Sequence, residues 1–167
     1  MAKDEYFKLK EYPGISDAAK GYIAGTHDRA MWLHYLLDTA QKLGYDVEAL
    51  TDDAIFKNGK AATAGWENVN NAGDFARAMV SSAIGREAFH SELIEAGDDH
   101  AILHFHYCPL VAAWEAEGLD HERIADLCRH ACKGDQGRAS NFPITLEFPY
   151  QLAKGDDFCE LNITTKK

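Results

Sequence analysis

No apolar run in this 167-residue chain approaches the roughly 20 residues that a helix needs to span a bilayer. The first residues, Met1 to Tyr6, are polar and lack the apolar core of a signal peptide. We therefore expect a cytoplasmic protein, in which cysteines stay reduced and act as core residues, metal ligands or reactive thiols. The four cysteines are Cys108, Cys128, Cys132 and Cys159.

Basic residues are also scarce, since 17 lysines and arginines stand against 27 aspartates and glutamates and the formal net charge is −10. Phosphate backbones and anionic membrane surfaces repel such a chain, so we expect neither nucleic acid nor membrane as a partner. Walker A, Gly-x-Gly-x-x-Gly, Gly-x-Ser-x-Gly and His-Glu-x-x-His motifs are absent. Their absence excludes most nucleotide-dependent enzymes, serine hydrolases and zinc proteases.

What the sequence contains is typical of a globular protein, with 46% hydrophobic and 26% charged residues. Domains commonly hold about 100–150 residues, so the length predicts a single domain over 1–167. Within it, a helical part covers about 1–85 and a sheet-containing part about 86–167. We find no internal repeat and no low-complexity segment.

The first half of the chain has the residue spacing of amphipathic helices. Ser16 predicts an N-cap, and Gly44 predicts the end of a long first helix. A second helix is predicted over 47–57 and a third over 74–84. The small, polar residues 58–65 between them predict a loop.

The second half changes to the period of two that is typical of strands. It predicts an antiparallel sheet of about four strands, with two helices inserted after the second strand. The fold class is therefore α+β, with the N-terminal helices packed on the sheet. The predicted strands are 89–95, 101–108, 144–152 and 159–163; the inserted helices run from Pro109 to about Gly118 and from Asp120 to Gly134.

Three metal-binding residue types, His104, His106 and Cys108, fall on alternate positions of the second predicted strand. Because side chains alternate across a strand, all three are expected to project to one side. They would suit Zn²⁺, or a thiol that a neighbouring histidine activates. A solvated strand face explains the same pattern equally well. Zinc therefore stays open, and the sequence commits to no cofactor.

The other three cysteines have the spacing of core residues. Cys128 and Cys132 lie on the apolar stripe of the last predicted helix, where small buried side chains are common. Cys159 alternates in phase with Leu161 and Ile163, which favours burial as well.

Three further side chains have both a structural and a functional interpretation. Asp135 follows a predicted helix end, where it is a turn or capping residue, or else a general base or a residue that orients a cation. Trp114 on a short helix is typical of a core residue. His27 on the first helix is either a satisfied core histidine or a side chain that reaches the sheet.

Dispersed short motifs in the C-terminal half resemble the L-2-amino-thiazoline-4-carboxylic acid hydrolase family. They occur in that family's order and spacing over residues from about 100 to 165. The resemblance implies a hydrolase that opens a cyclic amidine or isothiourea by adding water, which releases a thiol. The matching pieces are Tyr107-Cys108-Pro109-Leu110, Trp114, Gly118, Leu127-Cys128, Gly134-Asp135 and Ala153-Lys154-Gly155-Asp156-Asp157-Phe158-Cys159.

Such a reaction needs a base near the water, a charge partner for the amidine and a cation for the substrate carboxylate. The resemblance implies Asp135 or His106 as the base, with Cys108 as an alternative nucleophile that Cys159 supports. The implied substrate-binding residues are Trp114, Arg138 and His27.

A more distant likeness is to the small-molecule-binding domains named after 4-vinyl reductase, which also end in a Gly-x-x-x-Cys turn and a strand. Cysteines of those domains can bind zinc. Here Gln151 and Phe148 stand where a metal-binding Cys and Glu would be expected, which argues against that zinc site. The alternative function is a non-catalytic small-molecule-binding or sensor domain. An exposed sheet edge also leaves a homo-oligomer open.

Overall fold

The structure, a computed structural model, describes residues 14–167, so the predicted polar start of the chain lies outside the described residues. The fold is α+β, as the sequence predicts, with helices packed on a four-stranded sheet. Leu152–Lys154 form one 3₁₀ turn before the last strand. In chain order the elements are α1 (Asp17–Lys42), α2 (Val47–Ala62), α3 (Ala72–Met79), α4 (Ala83–Phe89), β1 (Ser91–Ala96), β2 (His100–Phe105), α5 (Pro109–Glu117), α6 (His121–Ala139), β3 (Ile144–Glu147) and β4 (Cys159–Thr165).

Most helix starts and several helix ends lie where local side-chain chemistry places them. The Ser16 and Asp120 side chains accept hydrogen bonds from backbone N–H groups in the first turns of α1 and α6. Pro109 is the first residue of α5, where its missing N–H costs nothing. Gly44 and Gly118 follow α1 and α5 with φ of +78° and +84°, a conformation that glycine adopts without strain.

In the N-terminal half, the predicted bounds of the second and third helices are wrong. The segment predicted as a loop over 58–65 is helical up to Ala62, because α2 continues along α6. The helix predicted over 74–84 is two helices, α3 and α4. The Ser82 side chain accepts a hydrogen bond from the Gly85 N–H, so Gly85 lies in the first turn of α4 and does not end a helix.

The sheet has the strand order β1-β2-β4-β3, and all neighbouring strands are antiparallel. Leu103 of β2 pairs with Leu161 of β4, and both are buried on the face that packs against the helices. Polar residues follow the opposite, outer face, where His104 pairs with Glu160. The alternation predicted for these two strands is confirmed.

Three predicted strands are too long. The first begins only at Ser91, because Phe89 ends α4. The second ends at Phe105, and the chain then turns into α5. The third ends at Glu147, since the following chain turns back where the Gln151 N–H donates to the Asp156 carboxylate at 2.7 Å.

Two apolar cores hold these elements together. One lies between α1, α5 and α6, around the fully buried Trp114 and Leu127. The other lies between α3 and the inner face of the sheet, around Phe75 and Leu103. Each core buries apolar surface, which is the main favourable term in folding. Within residues 14–167, each helix is either too short or too polar to cross a membrane.

Glycines bring α2 and α6 into direct backbone contact. A Cβ atom added at Gly59 would overlap the Gly134 carbonyl, and one added at Gly137 would overlap the Phe56 carbonyl. Only hydrogen fits at these two positions, so the helices approach more closely than side chains would permit. The contact fixes the α6 residues on either side of Gly137, which include the polar residues of the site described next.

Candidate functional site

A cavity of about 420 Å³ lies between the two apolar cores. Its volume is within the range of about 300–1,000 Å³ that is usual for ligand pockets. Most of its wall is apolar, and a few polar groups converge on it. Among the lining residues, the apolar side chains include Leu33, Ile55, Trp66, Met79, Phe89, Phe105, Leu110, Phe148 and Leu161, and the polar or sulfur-bearing ones include Arg29, Asn58, Cys108, Cys128, Cys132, Asp135, Arg138, Gln151 and Cys159.

Asp135 and Arg138 form an ion pair at the cavity wall. The Arg138 Nη1 donates to the Asp135 Oδ1 at 3.0 Å, and the two residues are three apart on α6. Burial raises the pKa of the Asp135 carboxyl above its ordinary value, while the cations Arg138 and Arg29 act in the opposite direction. A carboxyl whose pKa is raised in a ligand-sized cavity is typical of a general base.

The position of Asp135 differs from the one that the sequence predicts. Gly134 does not end the helix, because α6 continues through Ala139. The two glycines that look like a helix stop, Gly134 and Gly137, are instead the points at which α6 contacts α2. Asp135 is therefore a helical residue with 26% of its side chain accessible. Helix α6 therefore holds the Asp135 side chain in place, and the residue does not belong to a turn.

All four cysteines line the same cavity. The sulfurs of Cys128 and Cys132 lie 4.0 Å apart, one turn from each other on α6. Their hydrogen bond lowers the pKa of the Cys128 thiol and raises that of Cys132, which burial raises further. The Gln151 amide also donates to the Cys132 sulfur at 3.7 Å.

Cys108 lies between β2 and α5, and Cys159 is the first residue of β4, where it pairs with Phe105 at the end of β2. Cys108 is the residue before α5, and burial raises the pKa of its thiol well above the ordinary value. Burial also raises the pKa of Cys159 to about 12, although the Leu152 N–H donates to its sulfur at 3.3 Å. Both groups are therefore neutral thiols at neutral pH, which makes them weak nucleophiles.

The expected row of His104, His106 and Cys108 on one side of a strand does not form. Because β2 ends at Phe105, the chain turns before Cys108, whose thiol lines the cavity. The two histidines lie on the outer face, where they bond to Glu160 and Glu92. No histidine activates the Cys108 thiol. Cys108 therefore does not belong to the candidate metal site with His104 and His106.

His27 is buried in α1 and does not line the cavity. Its Nε2 has no hydrogen-bond partner among the described residues, and burial lowers its pKa. Trp114 lies at the cavity wall while its indole N–H donates to the Ala30 carbonyl at 3.0 Å, so it is both a core and a lining residue. Of the predicted site residues, the structure brings together Cys108, Asp135, Cys159, Trp114 and Arg138, and leaves out His106, His104 and His27.

Arg29 and Gln151 line the cavity without having been predicted as site residues. A sequence signal for Arg29 does exist. Arg29 lies four residues before Leu33 and seven after Tyr22, so the three share one face of α1, which lines the cavity. A charged residue on this otherwise apolar face is the signal. Periodicity gives no such signal for Gln151, because it belongs to an irregular segment after β3. The likeness to the 4-vinyl-reductase domains marks its position, at which those domains carry a metal-binding cysteine.

A more open groove adjoins the cavity. Cys132, Phe148 and Gln151 line both spaces, so these three side chains form the wall between them. The groove also carries basic residues, including Arg129, Lys133 and Lys154. Arg129 and Lys133 pair there with Glu48.

Comparison with known proteins gives a family and a fold. The family model for L-2-amino-thiazoline-4-carboxylic acid hydrolase matches residues 25–163, which extends the resemblance to the N-terminal helices. The fold is similar to that of trafficking protein particle complex subunit 3 from Naegleria fowleri, solved covalently bound to palmitic acid. The TM-score is 0.58 at 14% identity, over 86% of this chain and 96% of that chain. No curated protein matches the sequence significantly.

Proposed function

This chain belongs to the L-2-amino-thiazoline-4-carboxylic acid hydrolase family, and we propose that it is a hydrolase that opens a cyclic amidine or isothiourea of this type. Water adds to the carbon between nitrogen and sulfur. The C–S bond then breaks, with its electron pair on sulfur. One proton of the water ends on the ring nitrogen and the other on sulfur, which leaves a free thiol and a carbamoyl group.

The observation that carries this proposal is the Asp135 carboxyl in the cavity wall. Its raised pKa favours proton uptake, which is what a base for the attacking water requires. Helix α6 fixes its position, and the Arg138 Nη1 at 3.0 Å orients one oxygen and leaves the other for water. General base catalysis of this kind typically contributes ~10²–10⁴ in rate.

Two cations match the carboxylate of the substrate. Arg29 from α1 and Arg138 from α6 both line the cavity, and both interact with Asp135 electrostatically. A guanidinium binds a carboxylate through two parallel hydrogen bonds, which also fixes the orientation of the ring. In this proposal Arg29 holds the substrate carboxylate, and Arg138 remains with the base.

The state of the Cys108 and Cys159 thiols favours direct attack by water over a covalent route through either of these two residues. Burial keeps Cys108 and Cys159 protonated at neutral pH, and within residues 14–167 no hydrogen bond joins the Cys108 thiol to a base. Their sulfurs instead form a wall of weakly polar atoms around the ring. His106 has no part in this mechanism, because it lies on the outer face of the sheet.

The test is release of thiol from L-2-amino-thiazoline-4-carboxylate by the purified protein and by its Cys108→Ser variant. We expect turnover by both, because serine preserves the wall and removes only the nucleophilic sulfur. Protein without substrate supplies the baseline for its own four thiols. Loss of turnover in a folded Cys108→Ser variant would establish the covalent route instead, and no turnover by either protein would refute the proposed substrate.

The apolar wall favours a second candidate function, a non-catalytic domain that binds a larger carboxylic acid. A single five-membered ring fills only part of a 420 Å³ cavity, and most of the wall is apolar. The similar trafficking subunit was solved with palmitic acid attached. Intact-mass measurement after incubation with palmitoyl-coenzyme A, and calorimetry with palmitate, distinguish the two functions. A tight complex without any thiol release from the thiazoline would favour the binding domain.

A further inference from the structure

On the outer face of the sheet, away from the cavity, three side chains with metal-binding atoms lie together. One ligand atom each from Glu92, His104 and His106 lies within 4.8 Å of the others. We propose that these three residues bind a transition-metal ion, with Glu160 beside them, and that the site is separate from the hydrolase cavity.

The strand register produces this cluster. Glu92 of β1 pairs directly with His104 of β2, and His104 pairs directly with Glu160 of β4. Directly opposed residues on one face of a sheet have Cβ atoms about 4.5–5.5 Å apart. His106 lies just after the end of β2, and its ring meets the ring of His104 with centroids 5.9 Å apart. Three neighbouring strands thus bring two imidazoles and two carboxylates to one spot.

Packing holds the two imidazoles in place. The ring of Phe158 stacks on His104 with centroids 4.1 Å apart and planes 17° apart, and it meets His106 edge-on at 6.0 Å. Such contacts restrict the rotation of both rings, so less conformational entropy is lost when a ligand binds.

Each imidazole is already bonded to a carboxylate. The His104 Nε2 lies 2.9 Å from Glu160 Oε2, and the His106 Nε2 lies 2.9 Å from Glu92 Oε2. Zn²⁺ with bonds of about 2.0–2.1 Å at tetrahedral angles holds its ligand atoms about 3.4 Å apart. Exchange of the proton between His106 and Glu92 for a metal ion therefore requires only small movements. A metal-bound histidine characteristically keeps a carboxylate partner on its other ring nitrogen. Glu160 supplies this partner at the His104 Nε2, which leaves the Nδ1 of His104 for the metal.

The ligand types select the metal. Two imidazole nitrogens and one carboxylate suit Zn²⁺, Co²⁺, Ni²⁺ or Cu²⁺, whereas Mg²⁺ and Ca²⁺ prefer sites made of oxygen ligands alone. Three protein ligands leave a coordination position for water or for another molecule. The site is also reachable from solvent, since 38% of the His106 side chain and 60% of the Glu92 side chain are exposed.

The experiment is calorimetric titration of the untagged protein with Zn²⁺, together with Co²⁺ absorption spectroscopy. Single variants His104→Gln and His106→Gln remove one ligand each. The matched control is His100→Gln, since His100 lies on the same strand and face but bonds to Asn162, outside the cluster. Circular dichroism verifies that each variant is folded.

We expect one Zn²⁺ per chain, with no charge-transfer band from thiolate in the Co²⁺ complex. Affinity should be lost in both ligand variants, fall about 10–100-fold in Glu160→Gln, and stay unchanged in His100→Gln. Absence of binding to the wild-type protein, unchanged affinity in His104→Gln, or a thiolate band that places Co²⁺ among the cysteines would each overturn the proposal. Thiazoline hydrolysis is a separate readout, so either proposal can fail without the other.

Discussion

At the scale of single residues, burial of the Asp135 carboxylate destabilises its charged form and makes it a stronger base. The cavity wall removes much of the water that would stabilise its carboxylate, so the pKa is raised in spite of Arg138 at 3.0 Å. A carboxyl that is unfavourably charged at neutral pH is poorly suited to a purely structural role. It is well suited to accept a proton from water that a substrate has brought close.

The raised pKa predicts how stability depends on pH. Because the folded protein binds this proton more tightly than the unfolded chain does, Asp135 contributes stability below its unfolded pKa. That contribution is lost as the pH rises through the higher folded pKa. The free energy of unfolding of wild type minus that of Asp135→Asn should therefore be larger in acid than at neutral pH. Urea denaturation of both proteins at pH 4.5 and pH 7 measures this difference in the free energy of unfolding. A difference that is larger at pH 7 than at pH 4.5 would contradict the raised pKa of Asp135.

At the scale of elements, the contact between α2 and α6 determines where the polar groups of the cavity lie. Gly59 and Gly137 let backbone meet backbone, and Asp135 and Arg138 lie within two residues of Gly137. The Thr63 hydroxyl also donates to the Arg138 carbonyl at 3.0 Å, which joins the end of α2 to the same turn of α6. Separation of these helices would move Asp135 and Arg138 together.

This packing predicts that Gly59→Ala is destabilising although alanine favours helix formation. The added methyl group overlaps the Gly134 carbonyl, and overpacking of this kind typically costs about 1–3 kcal/mol. The matched control is Gly21→Ala in α1, where the added Cβ meets no neighbouring element among residues 14–167 and stability should rise by about 0.5–1 kcal/mol. Thermal and urea unfolding measure both. Equal stabilisation by the two substitutions would show that the helices do not touch at Gly59.

At the scale of the whole molecule, the local elements are predictable from the sequence and the cavity is not. Ser16, Pro109 and Asp120 act within one turn of their own positions, so their effects can be predicted without tertiary structure. Gly134 resembles a helix stop in the sequence, and only the presence of α2 shows why glycine is needed there. The position of Cys108 is equally unpredictable from the sequence. Because β2 ends at Phe105, the Cys108 thiol lines the cavity and does not lie on the outer face of the sheet.

Long-range packing also explains which site residues were predictable. Asp135 and Cys159 belong to the short motifs that resemble the hydrolase family, Arg138 lies three residues after Asp135, and all three line the cavity. Arg29 comes from the far end of the chain and meets them only because α1 packs beside α5 and α4. His27, on a neighbouring position of α1, is buried elsewhere. Side chains two residues apart on a helix face different directions, so the choice between them depends on the orientation of α1.

In the proposed mechanism Asp135 is the base of a hydrolase and not a structural residue. The most direct measurement compares thiol release from L-2-amino-thiazoline-4-carboxylate by wild type, Asp135→Asn and Asp53→Asn, each verified as folded. Asp53 is the control because it is an exposed carboxylate on α2 whose one ion-pair partner among residues 14–167 is Lys57. We predict that Asp135→Asn lowers kcat by about 10²–10⁴-fold and that Asp53→Asn leaves it unchanged. Wild-type turnover in folded Asp135→Asn would contradict the account.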